Sequence, residues 1–184
     1  MIIAYKDNGC LKIIVPIAYN MFSAIRRNNF LEKENIPISF KDEDLIFASG
    51  DLAMPYNVIS ENLDKLKQIK YLSDVFDNID VIKELLKKYY LIDPTRKTIG
   101  RFIIANKTDA YVINNDFTIY EMGTIEILGT NKTDYSFIRQ IIEIEKGSVE
   151  ERILNAIKKD SMYRYGFESK VVIFDSTNKE YKII

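Results

Sequence analysis

The sequence contains no histidine. That absence removes the commonest general base and the commonest metal ligand. It excludes a Ser-His or Cys-His nucleophile, a His-bearing zinc site and an HExxH helix. There is a single cysteine, Cys10, so no internal disulfide and no thiolate zinc or iron–sulfur site can form, and a reducing cytoplasm is the expected compartment. The seven glycines stand apart from one another, without a glycine-rich phosphate loop. No apolar run approaches the ~20 residues of a membrane span. The opening MIIAYKDNG lacks the basic flank, apolar stretch and cleavage site of a signal peptide. Neither sign of charge dominates: 26 basic and 27 acidic residues leave a net charge of −1. Nothing electrostatic therefore points to nucleic acid or an anionic membrane as partner. No cofactor and no metal are expected. Any catalysis must draw on a carboxylate, Lys, Tyr, a hydroxyl, Cys10 or a terminal amine.

What is present is a globular composition, 47% hydrophobic and 29% charged over 184 residues. That length fits one domain, 1–184, large enough to bury a proper core. Ile2 to Lys6 reads as a strand ending at Asp7-Asn8-Gly9. Asn-Gly between apolar runs is the strongest short hairpin signal, because both residues tolerate positive φ. The return strand runs from Leu11 to about Ala18, and Pro16 within it suggests an edge or a bulge. Residues 20–35 read as a loop with one helical turn. Ile36–Phe40 and Leu45–Ala48 are strands.

The period then changes to that of a helix, first over Val58, Ile59, Leu63, Leu66 and Ile69, then over Val75, Phe76, Ile79, Ile82, Leu85 and Leu86. Strands resume at Arg101–Asn106, Ala110–Ile113, Phe117–Met122 and Ile125–Leu128. A third helix covers Asp134–Ile144 with Phe137, Ile138, Ile141 and Ile142 apolar. Ser148 and Glu151 form a capping box opening a fourth, which runs to about Tyr163, buries Val149, Ile153, Leu154 and Ile157, and is broken by Gly166. Lys170–Asp175 and Glu180–Ile184 close the chain as a hairpin. Hairpins alternating with paired helices predict an α+β, four-layer αββα sandwich: two stacked antiparallel sheets flanked by helix pairs.

In this order of elements the chain resembles a proteasome β subunit, or the related peptidase subunit of the bacterial two-component ATP-dependent protease, over essentially its whole length. Ile17-Ala18-Tyr19-Asn20 stands where that family's opening hairpin ends in Ala, any residue, Asp. Phe47-Ala48-Ser49-Gly50-Asp51 is similar to the strand ending in Ser-Gly. Leu128-Gly129-Thr130-Asn131 is similar to the Gly-Ser-Gly turn before the third helix. Lys159-Asp160-Ser161 lies where the fourth helix ends in Arg-Asp, and Lys170–Asp175 matches the strand that follows.

The resemblance implies an N-terminal-nucleophile hydrolase fold, in which a terminal Thr (Ser or Cys in the wider superfamily) attacks while its own α-amine takes the proton. It also implies subunits that associate laterally into rings and stack through helices, hence a homo-oligomer, with a protein partner as a further expectation. The catalytic positions depart from the family. Met1 and Ile2 stand at the nucleophile's place, and a bulky second residue is expected to keep the methionine in place. Asn20 replaces the Asp. The family's Lys falls on Asn35-Ile36-Pro37, with Lys33 out of register. Thr130 could stand in for the turn serine, and Asp160 is the clearest surviving match.

The implied protein is a pseudoenzyme acting through assembly or partner binding. The alternative is an active peptidase or amidase freed by processing at Gly9-Cys10; read plainly, Cys10 is a small apolar residue after a turn. A third reading is an unrelated α+β binding domain. The cluster Met162-Tyr163-Arg164-Tyr165 reads equally as a subunit contact or as a partly exposed core edge. Asp42-Glu43-Asp44 reads as a solvated turn, since it lacks the ligand spacing of a calcium loop.

Overall fold

A computed structural model describes residues 2–16, 38–39, 46–49, 71–84, 102–114, 118–128 and 133–184. The first hairpin pairs β1 (Ile2–Asp7) with β2 (Cys10–Pro16), and Asp7 stands opposite Cys10. The loop is therefore Asn8-Gly9 alone, with φ of 50° and 80°. Both are left-handed values, which Asn and Gly accept at low cost and which match the twist of the flanking strands.

Among the described residues, the remaining pairings give two five-stranded antiparallel sheets. Sheet A has the order β10-β9-β2-β1-β8, where β8 is Ile125–Leu128, β9 is Val171–Asp175 and β10 is Glu180–Ile183. Sheet B has the order β3-β4-β5-β6-β7: Ile38–Ser39, Ile46–Ser49, Phe102–Ala105, Ala110–Ile113 and Ile119–Glu121. Since β2 lies between β1 and β9, Pro16 is in an inner strand, not at an edge or bulge. It is the last residue of β2, opposite Val171, where a missing N–H removes no interior rung of the ladder.

The alternation of side chains along β1 splits the core in two. Ile2 and Ala4 face sheet B, in a cluster with Leu11, Ile13, Val15, Ile103, Val112 and Phe174. Ile3 and Tyr5 face the other way, against Ile138, Ile142, Ile153 and Ile157. Both faces of sheet A are covered, which is why β1 and β2 read as nearly continuous apolar runs. Burying a side chain such as Ile2 or Ile3 contributes about 1.5–3 kcal/mol, and this inner strand places one on each side in turn.

The helices form the outer layers. On sheet B, α1 (Asp74–Asp77) and the helical residues 79–84 bury Val75 and Ile82. Phe76 sets its ring edge-on to Tyr111 of β6, with centroids 4.9 Å apart. On sheet A, α2 (Thr133–Ile144) and α3 (Val149–Tyr165) make an antiparallel pair. The capping box is present: Ser148 Oγ accepts from Glu151 N at 3.2 Å, and Glu151 Oε2 accepts from Ser148 N at 2.8 Å. The Ser148 backbone and hydroxyl donors hold the Glu151 carboxyl below its usual range. Gly166 ends α3 at φ 74°, a left-handed cap that only Gly takes without strain. The helix expected from Pro55 to Ile69 and the loop of 20–35 lie outside the described residues.

Candidate functional site

The strand ends that carry the family-matched positions converge at one end of sheet A. Ile2 stands opposite Leu128, and Pro16 opposite Val171. Met1 precedes Ile2 in the chain, Asn20 follows β2, and Thr130 follows Leu128. Met1, Asn20, Thr130, and likewise Lys33 and Asn35-Ile36-Pro37, themselves lie outside the described residues. Ile2 is fully buried between the sheets.

Asp160 is the family-matched residue that the structure describes fully. It is completely buried on α3, and its carboxylate accepts from Arg164 Nε at 2.8 and 3.0 Å. The spacing is i, i+4, which brings the two side chains together on one helix face. Ser161, also fully buried, donates to Lys158 O at 2.9 Å and accepts from Ser169 N at 3.0 Å. That contact fastens the loop entering β9 to the helix and brings Asp160 to the same end of sheet A as Ile2. The helix continues to Tyr165, so Asp160 lies more than a turn inside it, not at its end as the sequence match had it. A carboxylate enclosed with a guanidinium is a bracing group; leaving such a charge without its partner costs about 3–5 kcal/mol.

Cys10 lies at the opposite end of the first hairpin. It begins β2 beside the turn, whereas Ile2 begins β1 at the far end. The length of β1 separates the two ends by about 17 Å at 3.3–3.4 Å per residue. Cys10 is half-buried and has a free thiol. Cutting before it would remove β1, which pairs with both β2 and β8.

The sequence alone gives no sign of a polar cluster beneath the N-terminus of α3. Tyr5 is fully buried, and its hydroxyl donates to Glu150 Oε2 at 2.5 Å. Lys12 Nζ donates to the same oxygen at 3.2 Å and to Asp7 Oδ2 at 3.1 Å. Burial, then the Glu150 carboxylate, pushes the Tyr5 phenol far above its ordinary value. For Lys12, burial pulls the ammonium down but Asp7 and Glu150 outweigh it, and the net shift is upward. The hairpin register places Tyr5 opposite Lys12. Glu150 arrives from 145 residues away, a distance no local pattern spans. Among the described residues no group of three or more His, Cys, Asp or Glu side chains could hold a metal ion. No described helix is long and apolar enough to cross a membrane.

Two stacked antiparallel sheets with helices on their outer faces, and the first strand an inner strand of one sheet, define the proteasome-like N-terminal-nucleophile hydrolase fold, and this chain has it. Among solved structures it is similar to Anbu, the ancestral β-subunit, from Yersinia bercovieri: TM-score 0.62 at 11% identity, covering 100% of this chain and 85% of that one. It is similar to BPH of Thiobacillus denitrificans at TM-score 0.63 and 12% identity, covering 95% and 96% of the two chains. A eukaryotic HslV from Trypanosoma brucei gives TM-score 0.50 at 9% identity, covering 95% and 98%. At such identities the likeness is one of fold. No protein-family model matches the chain, and no curated protein does.

Proposed function

We propose that this chain is a proteasome-fold protein without hydrolytic activity, which acts by associating with its own copies or with a protein partner. The observation that carries this reading is the residue set where the first strand begins. Positions 1–4 are Met-Ile-Ile-Ala, with neither hydroxyl nor thiol among them, and Ile2, Ile3 and Ala4 are fully buried. Whichever bond were cut there, the freed terminus would carry no group able to attack a carbonyl. Asn20 in place of the family's Asp, and Asp160 engaged with Arg164, support the same reading. The position of Cys10 weighs against the alternative peptidase, because freeing its amine would cost the sheet an inner strand, the one that joins β2 to β8.

Association is supported by apolar groups on the outer surface of the α2–α3 pair. Phe137 and Tyr163 touch at 5.8 Å between ring centroids. Tyr163 is 82% exposed, Ile144 75% and Met162 46%. Aromatic groups so exposed are more useful at a protein contact than in water, and the family resemblance supplies the homo-oligomeric ring as the form of that contact.

The test is intact-mass measurement with and without epoxomicin, the compound bound in a Thiobacillus denitrificans BPH structure. The expected result is a chain that keeps positions 1–9 and gains no adduct. A mature chain beginning with Cys, Ser or Thr that also turns over an amide would overturn the reading.

A further inference from the structure

We propose that β10 is a self-complementary edge through which two copies of this chain join their sheets A into one continuous sheet. Among the described residues β10 is the outermost strand of that sheet. Val171 and Ile184 exchange both main-chain hydrogen bonds at 3.0 Å. By the alternation of an antiparallel ladder, Lys182 and Ile184 turn their main-chain groups toward β9, while Tyr181 and Ile183 turn theirs toward the outer edge. Every residue of β10 is exposed, with Ile183 at 50%.

The charge pattern selects the occupant and its register. On the helix-facing side of sheet A, the rows of partners run Lys12, Asp175, Glu180. Asp175 and Glu180 thus stand abreast at the rim, and like charges so placed are unfavourable. The Glu180 carboxylate accepts from the side-chain amide of Asn178 at 2.8 Å. A cation on the outer side of Glu180 would continue the alternation begun by Lys12.

A second copy supplies one. An antiparallel contact between identical strands has a two-fold axis, and the ladder directions allow that axis to pass through a residue position. An axis through Glu180 or Lys182 sets like charges face to face. An axis through Tyr181 sets Glu180 against Lys182 of the second copy, and Lys182 against its Glu180. It also makes the central pair one that exchanges main-chain hydrogen bonds, as the outward direction of Tyr181 requires. Lysine on an edge strand ordinarily discourages such pairing; here Glu180, two residues earlier and on the same face, converts it into the matching half of the contact.

Charge reversal tests this by sedimentation velocity over a concentration series, using the whole chain on a Tyr163→Asp background so that contacts through the helical face do not contribute. The expected result is self-association that Glu180→Lys and Lys182→Glu each weaken roughly tenfold, from two symmetric contacts per dimer, and that the double reversal restores. In parallel, Tyr181→Cys on a Cys10→Ser background should cross-link to its own copy under oxidation, since facing residues in such a pair lie within disulfide reach. Three charge variants that sediment alike, a double reversal that fails to restore association, or an absent cross-link would each overturn the proposal.

Discussion

At the scale of single residues, Tyr5 shows how a buried polar group ties distant parts of the chain. Its hydroxyl joins β1 to the first turn of α3 through Glu150. Because the folded phenol is raised, both folded and unfolded forms stay protonated below pH about 10, and the contribution is fully present there. Above that value the unfolded phenol ionises first, and stability falls by up to about 1.4 kcal/mol per pH unit. Urea melts at pH 9 and pH 11 should show the loss, and Tyr5→Phe should reduce it. Asp160 offers a second check. Arg164→Ala should lower stability by about 3–5 kcal/mol by leaving the fully buried Asp160 carboxylate without that guanidinium, measured by chemical denaturation. Neither effect is legible beforehand: Asp160 was singled out through its match to a family, while its Arg164 partner follows from helical spacing that could have been read directly. Nothing in the letters around Tyr5 points to Glu150, 145 residues away.

At the scale of elements, local chemistry was the readable part. Asn8-Gly9 announced a two-residue turn, Ser148 and Glu151 a cap, Gly166 a stop, and each is where those letters put it. The reason is that these features are decided by neighbours a few residues apart. Ser148→Ala should therefore cost about 1 kcal/mol, and Gly166→Ala about the same through its left-handed φ; thermal or urea melts of the two variants would measure both. What the periodicity misjudged was which apolar residues are covered. Phe137 and Phe76 fall on apolar helical faces, yet they are 39% and 50% exposed. Helical spacing gives a direction around the axis, whereas coverage depends on what the other layer brings to it. Pro16 was misjudged for a related reason: whether a strand is inner or outer is a property of the sheet, and β9, which covers β2, lies some 150 residues on in the chain by order of magnitude.

At the scale of the molecule, the four-layer architecture followed from the order of elements, since paired helices between hairpins leave few ways to cover both sheet faces. Architecture alone does not dictate chemistry, because one fold hosts many functions. The reading through association makes its own demand here. Tyr163→Asp should weaken self-association at least tenfold, with little change in folding stability for a side chain so exposed; light scattering paired with a melt separates the two effects.

The placement of β1 has one more consequence. A segment at residues 2–7 that can be flanked only by residues 10–16 and 125–128 has half of its sheet missing until late in synthesis. The hairpin can close within microseconds of emerging, but its second flank arrives more than a hundred residues later by order of magnitude, and loop closure over that span is slow. On the ribosome this segment is thus committed among the last, although it precedes both of its flanks, and its apolar faces stay half bare in the interval.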